Sequence, residues 1–123
     1  MKLHLSHSPG QNAFTAYGEG YVAVNGTEYR HSLVVLPDRV VDDWSVPDSA
    51  ALTLESMEAL AALEVEIVLL GTGPRLVFPP AKLLAPIAAA RVGLEVMDTQ
   101  AACRTYNILM AEERRVAAAL LFT

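Results

Sequence analysis

Gly71-Thr72-Gly73 follows a short, very apolar segment, Glu66 to Leu70, and its backbone amides could cradle an anion as glycine loops do. The spacing does not match a nucleotide loop. A dinucleotide site needs a third glycine opening a helix, whereas Pro74-Arg75-Leu76 intervenes here, and the phosphate-loop lysine is missing. The structural alternative is a tight strand exit in which glycine supplies positive φ. A second polar group stands in Arg104-Thr105-Tyr106-Asn107, within a stretch otherwise full of Ala, Leu and Met. On a helix, Ala102, Cys103, Tyr106, Leu109 and Met110 share one face by steps of three and four, while Arg104 and Asn107 sit together on another side. A guanidinium and a carboxamide there could donate hydrogen bonds to a small anionic or polar ligand beside the glycine loop. The candidate ligand-binding set is therefore Gly71, Thr72, Gly73, Arg75, Arg104 and Asn107. The competing reading makes Arg104 a surface or ion-pair residue and Tyr106 a core aromatic.

No set of residues reads as catalytic. Cys103 could be a nucleophile only with a base or a positive field, and Arg104 points about 100° away around a helix. Packing is the better reading of that cysteine. His4 and His7 share a spacing of three but have no third ligand, so no metal site is expected. Asp42 and Asp43, adjacent on a strand, would point to opposite faces and could not share a proton. Asp98-Thr99 caps a helix, which uses part of the capacity of that terminus for an anion. No cofactor is expected.

The elements that must position these residues can be read in order. Residues 1–19 form an irregular lead-in with room for one short strand. Tyr21 to Val24 is strand-like, and Asn25-Gly26 gives a type I′ hairpin signal. The return strand runs from Glu28 to Leu36, its later half buried on both faces. Val40 to Val46 is a further strand. Thr53 caps a helix reaching about Leu63, with Leu54, Met57, Leu60 and Ala61 on one stripe. A strand over Glu66 to Leu70 follows, then a brief edge pairing of Leu76-Val77-Phe78. Pro79-Pro80 opens a second helix, which Pro86 kinks or restarts and Gly93 ends. Leu94 to Met97 is a strand, a third helix runs to about Glu113, and Val116 to Phe122 is a last apolar strand. Alternating strands and helices predict a single α/β domain spanning 1–123, in three layers around a mixed, mostly parallel sheet with an N-terminal hairpin. The last strand would support homo-oligomer formation if it lay at an exposed edge, and not if it were an inner strand.

A chain of 123 residues with 53% hydrophobic residues builds a real core. The net charge of −5, without a cluster of Lys or Arg, argues against nucleic-acid binding. One cysteine excludes an intramolecular disulfide and a multi-thiolate zinc site. The N-terminus Met-Lys-Leu-His-Leu-Ser-His is too short and polar for a signal peptide. No apolar run is long enough for a membrane span. The expected location is the cytoplasm.

Five blocks in order, Glu66 to Gly73, Pro79-Pro80, Gly93 to Thr99, Ala101 to Leu109 and Glu113 to Leu120, carry a resemblance. The chain resembles, over about residues 20–122, a domain-of-unknown-function family. Its relatives include mitochondrial complex I (NADH:ubiquinone oxidoreductase) assembly factor 3 and the adipogenesis-associated Mth938-domain protein. The resemblance implies a three-layer α/β domain around a mixed sheet. It also implies a non-enzymatic role in assembling a respiratory complex through a protein partner. Pro86 and Arg91-Val92 depart from the family pattern at the second helix. The alternative reading is a protein that binds a small anionic or polar ligand through the glycine loop and Arg104.

Overall fold

The computed structural model describes residues 10–123, so His4 and His7 lie outside the described residues. Among the described residues, eight strands form two sheets. The first is an antiparallel meander of β1 (Phe14–Gly18), β2 (Tyr21–Val24) and β3 (Thr27–Tyr29). Asn25 and Gly26 turn the β2–β3 hairpin with φ of 49° and 87°, the left-handed pair that a type I′ turn demands. The second sheet holds β4 (Leu33–Leu36), β5 (Arg39–Val41), β6 (Ile67–Thr72), β7 (Gly93–Met97) and β8 (Val116–Leu121), in the order β5-β4-β8-β6-β7. It is mixed: β6 pairs in parallel with β7 and β8, while β4 pairs antiparallel with β5 and β8. Parallel ladders are thus two of four. The N-terminal hairpin belongs to the separate small sheet.

The segment expected as one strand from Glu28 to Leu36 is two strands in two sheets. Thr27 and Glu28 are exposed and suit the rim of the small sheet. Leu33 to Leu36 are buried on both faces and need an inner position, so the chain crosses between sheets at Arg30 to Ser32. The strand expected through Val46 stops at Val41, because the exposed Asp42 and Asp43 suit a turn better than a ladder. β8 occupies the centre of the large sheet, and all six of its residues are buried. It offers no free edge for self-association.

Alternation along the inner strands divides the core. Leu33, Val35, Leu69, Ala118 and Leu120 face one side, against Phe14, Tyr17 and Val22 of the small sheet and the third helix, α3 (Thr99–Ala111). Val34, Leu36, Val68, Leu70, Ala119 and Leu121 face the other, against α1 (Leu54–Ala61) and α2 (Ala85–Ala89). This alternation is the period-2 rule at work in strands covered on both faces. Phe14 meets Tyr106 edge to face at 5.1 Å and 82°, a geometry that contributes about 0.5–1.5 kcal/mol beyond burial.

α1 begins where expected. The Thr53 side chain accepts from the Ser56 amide and Ser56 returns the bond, a reciprocal cap. Met57 and Leu60 are buried, whereas Leu54 stays half exposed. The second helix is broken as Pro86 requires. Pro80 precedes a short 3-10 turn, Ala81–Leu84, and α2 restarts with Pro86 in its first turn. That helix ends at Ala90 and the left-handed Arg91, so Gly93 opens β7 rather than closing the helix. Leu76 to Phe78 form no strand; they are exposed loop.

Candidate functional site

The parallel strands β6, β7 and β8 end together, and one hydroxyl ties the ends of β6 and β8. Gly73, just past β6, takes φ +94°, which a residue with a Cβ resists. Its amide donates to Thr99 Oγ1 at 2.8 Å, and its carbonyl accepts from the Thr99 amide at 2.9 Å. Thr99 Oγ1 in turn donates to the carbonyl of Leu121 at the end of β8. Thr99 is buried, so both roles of its hydroxyl are filled within the protein. Asp98 caps α3 by accepting from the Ala101 amide at 2.9 Å. Amides of Gly73, Thr99 and Ala101 are thereby spoken for, which leaves little bare backbone for an anion.

A cavity of about 500 Å³ opens above this junction. Gly73 and Pro74 form one wall and Phe122 another. Asp98, Thr99, Gln100 and Arg104 contribute the start of α3. The tight β1–β2 turn, Gly18-Glu19-Gly20, closes the remaining side. Arg104 Nη1 donates to Tyr17 Oη at 2.9 Å, and the guanidinium carbon lies 5.7 Å from that ring's centroid. Arg104 therefore links α3 to β1 while remaining exposed at the cavity. Two acidic residues, Glu19 and Asp98, and one arginine, Arg104, line this space. That balance favours a polar ligand carrying hydrogen-bond donors over a plain anion.

Of the six residues that sequence reasoning places here, Gly73 and Arg104 meet at the cavity. Gly71 lies inside β6, where an added Cβ would sit 2.9 Å from Thr99 Cα; it serves close approach of strand and helix. Thr72 is buried, and its hydroxyl donates to the Arg75 carbonyl at 2.7 Å and accepts from the Val77 amide at 3.0 Å. The Arg75 side chain is exposed and outside the cavity wall. Asn107, expected beside Arg104, turns inward instead. Its Oδ1 accepts from the Phe14 amide at 2.9 Å and its Nδ2 donates to the Phe14 carbonyl at 2.8 Å. It is a buried clamp holding β1 against α3. Sequence reasoning misses the Gly18-Glu19-Gly20 turn, whose glycines were the available signal, and takes Asp98 only as a cap.

The reactive side chains are interior. Cys103 is fully buried, and burial pushes its thiol up to about 12; Arg104's charge pulls the other way and Asp98's adds to the rise. A thiol in that state is protonated at neutral pH and is not a nucleophile. Tyr106 donates its hydroxyl to the Asn12 carbonyl at 2.9 Å, and burial first, then the charge of Asp38, holds its pKa well above the ordinary tyrosine value. Among the described residues no three His, Cys, Asp or Glu side chains come together as a metal set, and no helix is long and apolar enough to cross a membrane.

Fold and site together define a small mixed α/β domain with a polar cavity at the exits of its parallel strands and its cysteine and buried tyrosine committed to packing. The chain belongs to the family described as "Protein of unknown function (DUF498/DUF598)", whose pattern matches residues 14–121. It is similar to the Francisella tularensis "13 kDa major membrane protein", 29% identical over 109 residues, covering 88% of this chain and 89% of that one. It is also similar to NADH dehydrogenase [ubiquinone] 1 alpha subcomplex assembly factor 3 of Danio rerio, 34% identical over 100 residues, 80% of this chain and 57% of the relative. The human assembly factor 3 is 32% identical over 108 residues, again with only 58% of its length covered. Among solved structures, a Bordetella parapertussis protein matches with a TM-score of 0.87 at 42% identity, over 95% of this chain and all of that one. A Bordetella pertussis protein described as a Mth938-like domain matches with a TM-score of 0.80 at 39% identity, over 98% and 92%.

Proposed function

We propose that the chain is a non-enzymatic, assembly-factor-like module that works in the cytoplasm by binding a protein partner, in the service of respiratory-complex assembly. The observation that carries this reading is the kinship with complex I assembly factor 3, which extends over most of this chain. The burial of Cys103 and Tyr106 supports it, since neither is available for chemistry. The test is a crosslinked pull-down of the tagged protein from its native lysate. A reproducible partner belonging to a respiratory complex is the expected result; repeated recovery of no specific partner sinks the reading.

The cavity favours a second reading, a protein that binds a small polar ligand between Gly73, Asp98, Glu19 and Arg104. Its volume falls within the range of small-molecule sites. A metabolite screen by thermal shift tests it, because a ligand at a hundred times its Kd adds about 2.7 kcal/mol of stability. A ligand whose shift persists undiminished in Arg104→Ala does not occupy this cavity.

A further inference from the structure

The loop between β6 and the 3-10 turn presents three consecutive large apolar side chains to solvent. Leu76 is 49%, Val77 43% and Phe78 71% exposed. They are not a frayed strand. The buried Thr72 hydroxyl grips the Arg75 carbonyl and the Val77 amide, and the buried Pro79 and Leu83 anchor the far side. The fold thus holds an apolar apex outward on a fixed base. Such an apex is not what a solvated loop needs.

Its charge setting is equally distinctive. From Gly73 to Leu84, the loop and the turn that follows it, the chain carries two basic residues and no Asp or Glu. Arg75 and Lys82, both exposed, flank the apolar triplet. Long basic side chains can keep their heads in a polar layer while their stems follow apolar neighbours inward. Three side chains on one loop fall well short of the roughly 20–30 residues a side, about 800 Å² per partner, that a standard protein interface engages. They suit insertion into the headgroup and acyl boundary of a bilayer, where apolar contact and attraction to anionic lipid act together.

We infer that the Leu76–Phe78 apex, with Arg75 and Lys82 on its rim, is a peripheral docking site for a bilayer containing anionic lipid. This goes beyond the assembly reading and stands or falls independently of it.

The experiment is vesicle co-sedimentation of the full chain. One set of vesicles is phosphatidylcholine alone; the other contains about one third phosphatidylglycerol. The protein is expected to pellet with the anionic vesicles, and less so as salt is raised. Phe78→Asp, at an exposed position, is expected to weaken partitioning by about tenfold or more. The double variant Arg75→Gln and Lys82→Gln is expected to reduce binding to the level seen with phosphatidylcholine. The inference is overturned if the wild-type chain stays in the supernatant with both vesicle types, or if Phe78→Asp pellets as well as the wild type. It is also overturned if the apex instead mediates a concentration-dependent dimer that Phe78→Asp dissolves, without any vesicle binding.

Discussion

Replacing Asn107 by Leu removes a clamp while keeping the side chain's approximate volume. In the native fold the carboxamide satisfies both the amide and the carbonyl of Phe14, at 2.9 and 2.8 Å, in a position only 4% exposed. Leucine can do neither. A buried backbone group deprived of its partner costs about 1–3 kcal/mol, so two of them cost about 2–6 kcal/mol. That is a large part of the roughly 5–15 kcal/mol available to a domain of this kind. Urea unfolding should show the midpoint falling with an unchanged slope. Native-state hydrogen exchange should show the Phe14 amide losing protection ahead of the β8 amides. Asn107→Asp sharpens the test. Its carboxylate still accepts from the Phe14 amide but faces the Phe14 carbonyl without a proton. Burial raises the folded-state pKa of such a group, so the variant's stability is greatest below the unfolded-state value and is lost as pH rises. A loss below about 1 kcal/mol for Asn107→Leu, or a Phe14 amide as protected as before, would refute the clamp. Because β1 leads directly into the turn that closes the cavity, loosening this clamp should also blunt any ligand-induced thermal shift.

Gly71→Ala should lower stability by about 1–3 kcal/mol, seen by thermal denaturation, because the new methyl meets Thr99 Cα and Leu120 Cδ2 at 2.9 Å. Cys103 should resist thiol reagents at about pH 8 until the chain unfolds, given a thiol raised to about 12; modification faster than global unfolding would contradict its burial. The Arg115 amide, and after it the Arg114 charge, hold the Glu66 carboxyl below its ordinary 4.5 even though burial opposes them. A depressed carboxyl contributes stability that is present above its unfolded pKa and lost as pH falls through the folded one. Glu66→Gln should therefore flatten the acid limb of the stability profile below about pH 4.5, as urea midpoints across that range would reveal.

The parts of the fold legible in the sequence are those where local chemistry and tertiary need agree. Thr53 and Asp98 are good caps by side-chain type, and the stripes they precede supply the buried faces of α1 and α3, with Leu54 the exception. Val116 to Leu121 reads as a buried strand because nothing polar interrupts it. The break between β3 and β4 was not legible, since an apolar run does not say which of two sheets it joins. Nor was the exposure of Leu76 to Phe78, where composition predicts pairing and Thr72 enforces a loop. The strand-exit rule singles out Gly73 and helix spacing singles out Arg104, and both line the cavity. Asn107 misleads because a polar residue three positions from an exposed arginine has the same spacing whether it meets solvent or a backbone. Its partner, Phe14, lies 93 residues away, and no local pattern encodes that distance.

The gripping of the loop by Thr72 has a consequence for engineering. Both ends of the segment from Pro74 to Phe78 are set by the interior: Gly73 by Thr99 on one side, the buried Pro79 on the other. The apex between them contributes little to the packed core. Exchanging the side chains of Leu76 to Phe78 would leave the Thr72 bonds to the backbone of Arg75 and Val77 in place, so new side chains there would inherit the same mount. The protein thus separates a permanent frame from a replaceable reader, and new recognition can be grafted at that point.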